Sequence, residues 1–256
     1  MTSIALLGDS VLDNFYWLEN PSRDLTVILR ERGYDSNNFA VDETRLNEIM
    51  EGRYVIPRYK EARPYPYPED IDGKVYPLKL LKMIPATLDK VALLSVGGND
   101  MRHYIPSMLF GGNFYLKAVL STTFVQRYRT LIESILQTHP RLILIMPYVP
   151  CTAAGSMYGY LISMLNTVYG GFQQFIYGLA KEYNLPVFDL SRTFDHTVRS
   201  HYGSTDIEPG DYTVEIMADG IDYILKHYKG NTTYYNRKCV QGWKQEKIEL
   251  SPNYQP

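Results

Sequence analysis

The chain has 256 residues, with 26 Lys and Arg against 28 Asp and Glu, a formal net charge of −2. With 45% apolar and 21% charged residues, it has the balance of a folded protein with a full-sized core, which excludes disorder and collagen-like structure. The near-neutral charge excludes nucleic acid as the expected partner, because neutralising phosphates takes a Lys/Arg surplus.

In chain order, residues 3–7 read as a first strand, stopped by Gly8-Asp9-Ser10. The run is too short, and lacks the basic flank, for a secretion signal, so a cytoplasmic protein is expected. Residues 22–32 read as a helix, with Leu25, Ile28 and Leu29 on one face and Gly33 as the stop. A weaker strand is expected at 39–41, and a strong buried one at 91–96, closed by Gly97-Gly98. Helix is predicted over 121–138, strand over 142–146, helix over about 157–183, a fifth strand over 186–190 and a last helix over about 212–228. Continuous apolar strands separated by helices predict an α/β fold over residues 1–230. The specific expectation is a doubly wound, flavodoxin-like, five-stranded parallel sheet with helices on both faces. Residues 231–256 carry no useful periodicity and read as a tail or strap.

Three stretches stand apart. Residues 53–88, with five tyrosines and five prolines before Leu78, and 101–120 both exceed normal loop length and are candidate walls of a site. The 23 tyrosines of the chain fit that role, since tyrosine joins an apolar ring to a polar tip. Residues 142–180 contain no Asp, Glu, Lys, Arg or His. A helix there should show water a charged face. Its absence predicts packing under another element, against a second copy of the chain, or on a membrane surface. Asn166, Gln173, Gln174 and several glycines argue against a membrane span.

In open α/β sheets ligands bind beyond the carboxyl ends of the strands. Three such turns carry Gly8-Asp9-Ser10, Asp42-Glu43-Thr44 and Gly97-Gly98-Asn99-Asp100. A serine, backbone N–H groups and a carboxamide are the parts of an acyl-transfer site. Other chemistries lack their residues. Position 12 is Leu, so Gly-x-Ser-x-Gly is absent. No Gly-x-Gly-x-x-Gly follows the first strand, and no His-Glu-x-x-His or paired-Cys spacing is present, so neither a cofactor nor a metal is expected. The cysteines, Cys151 and Cys239, are too few for a disulfide framework.

Gly8-Asp9-Ser10 after the first strand, together with Gly97-Gly98-Asn99-Asp100 after the third, resembles the SGNH (GDSL-type) hydrolases over roughly residues 3–228. The resemblance implies serine-dependent hydrolysis of a small ester, an O-acyl or an acetyl group, with Ser10 as nucleophile. It implies that the Asn99 side chain and the Ser10 N–H bind the oxyanion, with Asp9 and Gly98 in the same site. The family's further donor is a glycine N–H after the second strand. Here that turn has no glycine, although an N–H survives any side chain except proline. A Glu43 carboxylate would oppose an oxyanion unless it points away.

The family carries Asp-x-x-His-Pro before its last helix, where this chain reads Thr205-Asp206-Ile207-Glu208-Pro209. The Ile-Glu-Pro block resembles a subgroup of the superfamily. A free glutamate is a weaker base than imidazole by about two pKa units, roughly 3 kcal/mol, and burial can close that gap. Glu208 is therefore the expected base; His201, His196 and His103 are the alternatives. The expected partner is a small-molecule ester or an acylated glycan or lipid. The opposing expectation is a catalytically silent scaffold that binds a lipid, glycan or protein.

Overall fold

The computed structural model describes residues 1–86, 88–102, 121–153, 156, 162–237, 241–252 and 254. His103, Cys239 and residues 103–120 of the second long segment lie outside the described residues. The main elements, in chain order, are β1 (Thr2–Gly8), α1 (Leu25–Glu31), β2 (Asp35–Asn38), α2 (Leu46–Glu51), β3 (Arg53–Tyr54), α3 (Pro57–Ala62), β4 (Lys74–Val75), α4 (Pro77–Leu81), β5 (Asp89–Ser95), α5 (Thr122–Leu136), β6 (Arg141–Met146), α6 (Ile162–Glu182), β7 (Val187–Asp189), α7 (Leu190–Thr193), α8 (Asp211–Lys226), β8 (Thr232–Arg237) and β9 (Gln241–Lys247). Seven strands make a mostly parallel sheet flanked by helices, so the α/β class holds and the expected strand count of five is too low. The chain divides into two compact units, residues 1–13 with 34–142, and residues 14–33 with 143–256.

In the first unit β1 lies between β2 and β5, parallel to both. Ile4–Leu7 and Val91–Leu94 are fully buried, as two-sided coverage by helices demands. The second strand comes earlier than its apolar residues suggest. β2 itself reads Asp-Ser-Asn-Asn, while Phe39 and Val41 follow it. Their N–H groups still reach the β1 carbonyls of Leu6 and Gly8, at 2.9 and 3.0 Å. The apolar residues are thus buried just past the ladder. α5 starts at Ser121, whose hydroxyl accepts the Phe124 N–H, and it buries Tyr128, Leu131, Ile132 and Ile135.

In the second unit β7 pairs in parallel with β6 and β8, and β9 returns antiparallel to β8. Part of the stretch read as a tail or strap thus forms a hairpin on the sheet. β8 reads Thr-Thr-Tyr-Tyr-Asn-Arg with its first five residues buried, so no period-two alternation marks it. The hairpin is fastened to α8: a Cβ on Gly220 would stand 2.4 Å from the Trp243 ring and 2.5 Å from Phe188. The uncharged part of α6, up to Ala180, also finds its cover here. Phe172, Ile176 and Ala180 are fully buried. The Gln174 side chain accepts the Ser251 N–H at 2.9 Å, and Tyr254 lies directly on Gly178. No helix among the described residues is long and apolar enough to cross a membrane.

Candidate active site

The first turn is built by close approach of two strands. Gly8 has φ +138°, and a Cβ there would fall 1.7 Å from the Ser95 carbonyl oxygen, so only glycine fits. Asp9 then ties the turn. Its N–H donates to the Ser95 carbonyl at 3.1 Å, and its carboxylate accepts the Val11 N–H at 3.2 Å and the Ser95 hydroxyl at 3.1 Å. Ser10 sits at the apex, 7% exposed. Its own N–H donates to no acceptor among the described residues.

Residues 98–102 open a helical turn that presents Asn99. The Asn99 amide donates to the Thr44 carbonyl at 3.3 Å, which joins the third turn to the second. A carboxamide carries two N–H groups, so one remains for a ligand. Gly98 lies in ordinary contact distance of the Asp9 carboxylate, 3.7 Å from where a Cβ would stand.

The second turn differs from the expectation in a specific way. The Asp42 N–H donates to Asp13 Oδ2 at 3.1 Å, the Glu43 N–H to Asp42 Oδ1 at 2.7 Å, and the Thr44 N–H to the Val41 carbonyl at 3.2 Å. All three backbone donors are occupied, the first by Asp13 and the other two within the turn. Glu43 keeps a glycine-like backbone at φ +61°. Its carboxylate meets Arg53 at 3.4 Å and is 41% exposed, so it is turned outward.

Three buried aspartates and the half-buried Asp100 surround these turns. Burial pushes the Asp9 carboxyl up to about 7, against the pull of the Val11 N–H and the Ser95 hydroxyl. Burial likewise raises Asp13 to about 6, with the Arg63 guanidinium pulling the other way. It also raises Asp42, moderated by the Tyr59 hydroxyl, the Glu43 N–H and the Ser10 hydroxyl beside it. Asp100 is raised by burial and accepts the Leu46 N–H at 3.0 Å.

The counter-charge comes from the first long segment. Arg63 faces Asp13 at 3.4 Å with both side chains fully buried. Its guanidinium lies 3.8 Å from the Tyr67 ring centre and 4.4 Å from that of Tyr65, and the Tyr67 hydroxyl donates to Asp13 Oδ2 at 2.6 Å. The tyrosine–proline stretch was legible as a wall and Asp42 as part of a site turn, but the pairing of Asp13 with Arg63 was not, because nothing local in the sequence joins residues 13 and 63.

The remaining candidates lie in the second unit. Glu208 is 4% exposed, and its carboxylate receives the Thr205 hydroxyl. Thr205 Oγ in turn accepts the Ile207 N–H at 3.1 Å, so the residue at the family's Asp position orients the glutamate. The Gly203 N–H to Glu208 carbonyl bond, 2.9 Å, pins the loop. His201 is buried, and its Nδ1 accepts the Asp195 N–H at 3.0 Å. The neutral ring then carries its proton on Nε2 and offers no free lone pair. Burial also lowers its pKa. His196 pairs with the Thr152 hydroxyl at 2.7 Å. Among the described residues no group of three His, Cys, Asp or Glu side chains could hold a metal ion.

Known proteins share this frame. A lipase, Lip_vut3, from a goat rumen metagenome superposes with a TM-score of 0.61 at 14% identity, covering 87% of this chain and 97% of its own. The acetyl xylan esterase AlAXEase gives 0.55 at 14% identity over 87% and 99%. A carbohydrate acetylesterase family member from Sinorhizobium meliloti gives 0.52 at 15% identity over 89% and 98%. At these identities the likeness speaks for the fold. Comparison with curated protein sequences finds no match. The sequence profile of the GDSL-like Lipase/Acylhydrolase family, however, matches residues 6–213, from within β1 to the start of α8. A match over that much of the chain settles its kinship: the protein belongs to the GDSL-like lipase/acylhydrolase family of the SGNH superfamily.

Proposed function

We propose that the protein is a serine-dependent esterase or deacylase acting on a small ester or O-acyl group, borne by a small molecule, a glycan or a lipid. One observation carries this reading: Asn99 is bonded across to the Asp42–Thr44 turn, and the Ser10 hydroxyl stands beside Asp42 of that same turn. A nucleophile and amide donors therefore share one end of one sheet.

In this reading the Ser10 oxygen bonds to the acyl carbon as its proton passes to the general base, the role that the resemblance assigns to Glu208. The carbonyl electrons move to oxygen, where the Ser10 N–H and the remaining Asn99 N–H receive them. Collapse expels the alcohol, which takes the proton back from Glu208. Water repeats the sequence to free the acid and restore Ser10.

Steady-state hydrolysis of a short activated ester tests the roles. Ser10→Ala should lose at least about a thousandfold in kcat/KM. Glu208→Gln, which keeps an acceptor for Thr205, should lose roughly a hundredfold or more. Full activity in Glu208→Gln with none in His201→Ala would reassign the base. A catalytically silent scaffold that binds a lipid, glycan or protein is the competing reading. It draws on the absent imidazole and on the occupied N–H groups of the second turn, and it requires the wild-type chain to be inert toward every ester tried.

A further inference from the structure

We propose that Asp42 acts as a neutral carboxylic acid and supplies the oxyanion donor that the backbone of the second turn does not offer. The inference rests on Ser10 being the nucleophile. A tetrahedral oxyanion needs converging donors. The Ser10 N–H and one Asn99 N–H are open, but the N–H groups of Asp42, Glu43 and Thr44 are all taken, by Asp13, Asp42 and Val41 respectively. The turn that should complete the hole brings a side chain instead.

That side chain is suitably placed. Asp42 is 3% exposed and stands against the Ser10 hydroxyl. Its Oδ1 accepts the Glu43 N–H, while its Oδ2 is buried and makes no hydrogen bond of normal geometry. A proton on Oδ2 turns a weakly engaged acceptor into a donor next to the reacting atom. Ionised, the same group would repel the charge that develops on the substrate. The opposite sign of effect from one proton makes the protonation state decisive.

The surroundings favour the neutral form. Asp9, Asp13 and Glu43 face Asp42 with like charge. The Tyr59 and Ser10 hydroxyls and the Glu43 N–H bond to Asp42 and pull toward the ionised form, but burial outweighs them, and Tyr67 adds only a neutral phenol. Arg53 is engaged with Glu43 and Arg63 with Asp13, so neither cation is directed at Asp42 itself. A buried acid kept neutral to donate a hydrogen bond is an established way to hold an oxyanion. The proton stays on Asp42 throughout. The proton of Ser10 still goes to the base and returns to the leaving alcohol.

The test is kcat and KM against pH for wild type, Asp42→Asn and Asp42→Ala, with fluorophosphonate labelling of Ser10 as the check on the underlying reading. Asn keeps the Oδ1 acceptor and places N–H donors where Oδ2 lies. Asp42→Asn should retain kcat within about tenfold and lose the fall in rate at higher pH. Asp42→Ala should lose roughly a hundredfold in kcat with little change in KM. Asp42→Asn as inactive as Asp42→Ala would overturn the proposal, since it would mean that the negative charge is required. So would two fully active variants. The wild type alone also decides, should a variant not fold: a rate that rises with pH to an unbroken plateau contradicts an acid-form donor. Loss of the serine reading looks different, because then wild-type Ser10 takes no label at all.

Discussion

Asp9 illustrates the energetic tension of this site at the scale of one residue. It is needed to tie the turn that carries Ser10, yet burial lifts its carboxyl from an ordinary value near 3.8 to about 7. The folded state therefore binds more protons than the unfolded chain between these values, and stability should fall as pH rises from about 4 to about 7. Asp9→Asn keeps an oxygen for the Val11 N–H and the Ser95 hydroxyl and removes the buried charge. Chemical denaturation at mildly alkaline pH should find it more stable than wild type by roughly 1–3 kcal/mol, with the two converging in acid. A variant less stable at every pH would show that the charge is compensated in the fold. Buried His139, lowered to about 4 by desolvation, works in the opposite direction, adding stability as pH rises from about 4 to 6.5. The Asp9→Asn comparison cancels it.

Residue-level legibility was uneven for the same physical reason. The strand-end placement of Asp9, Ser10 and Asn99 was readable because short motifs mark it. Glu43 was read as a threat to the oxyanion. The structure turns it toward Arg53, a residue ten positions on whose reach no local pattern discloses. The occupation of three successive N–H groups depends on Asp13 and on the turn's own oxygens, and only coordinates reveal it.

At the scale of elements, the apolar strands and long helices emerged from periodicity, with shifts of a few residues at their ends. What failed was the C-terminal hairpin. Its strands are rich in threonine, tyrosine and charged residues, and β8 is buried on both faces, so alternation is lost. Its fit against α8 can be measured. Gly220→Leu must displace Trp243 and Phe188, and overpacking of this kind costs roughly 1–3 kcal/mol, a drop of several degrees in Tm. Gly242→Ala has open space around it and should be near-neutral. Equal melting temperatures for Gly220→Leu and wild type would mean that the hairpin is not seated as described. The uncharged part of α6 was legible as a helix needing cover. That its cover includes the chain's own Ser251 and Tyr254 was not, since those residues follow it by some seventy positions.

For the molecule as a whole, a formal charge of −2 conceals how the charges are distributed. Asp9, Asp13 and Asp42 are buried in the first unit and Asp100 is half-buried, with Arg63 as the guanidinium set against Asp13. In the proposed reading such a site suits uncharged esters, whose transition state acquires one negative charge at a defined place. Donors aimed at that place then matter more than the net charge nearby. Family membership and fold leave this arrangement open, because the GDSL frame holds whether or not its serine is activated.

Reaction of the full chain with a fluorophosphonate, followed by peptide mass mapping, tests that activation most directly. Such probes phosphonylate serines that are poised to attack. The account predicts a single covalent adduct on Ser10, absent in Ser10→Ala and strongly slowed in Glu208→Gln. Folded protein that leaves Ser10 unmodified from mildly acid to mildly alkaline buffer would contradict it.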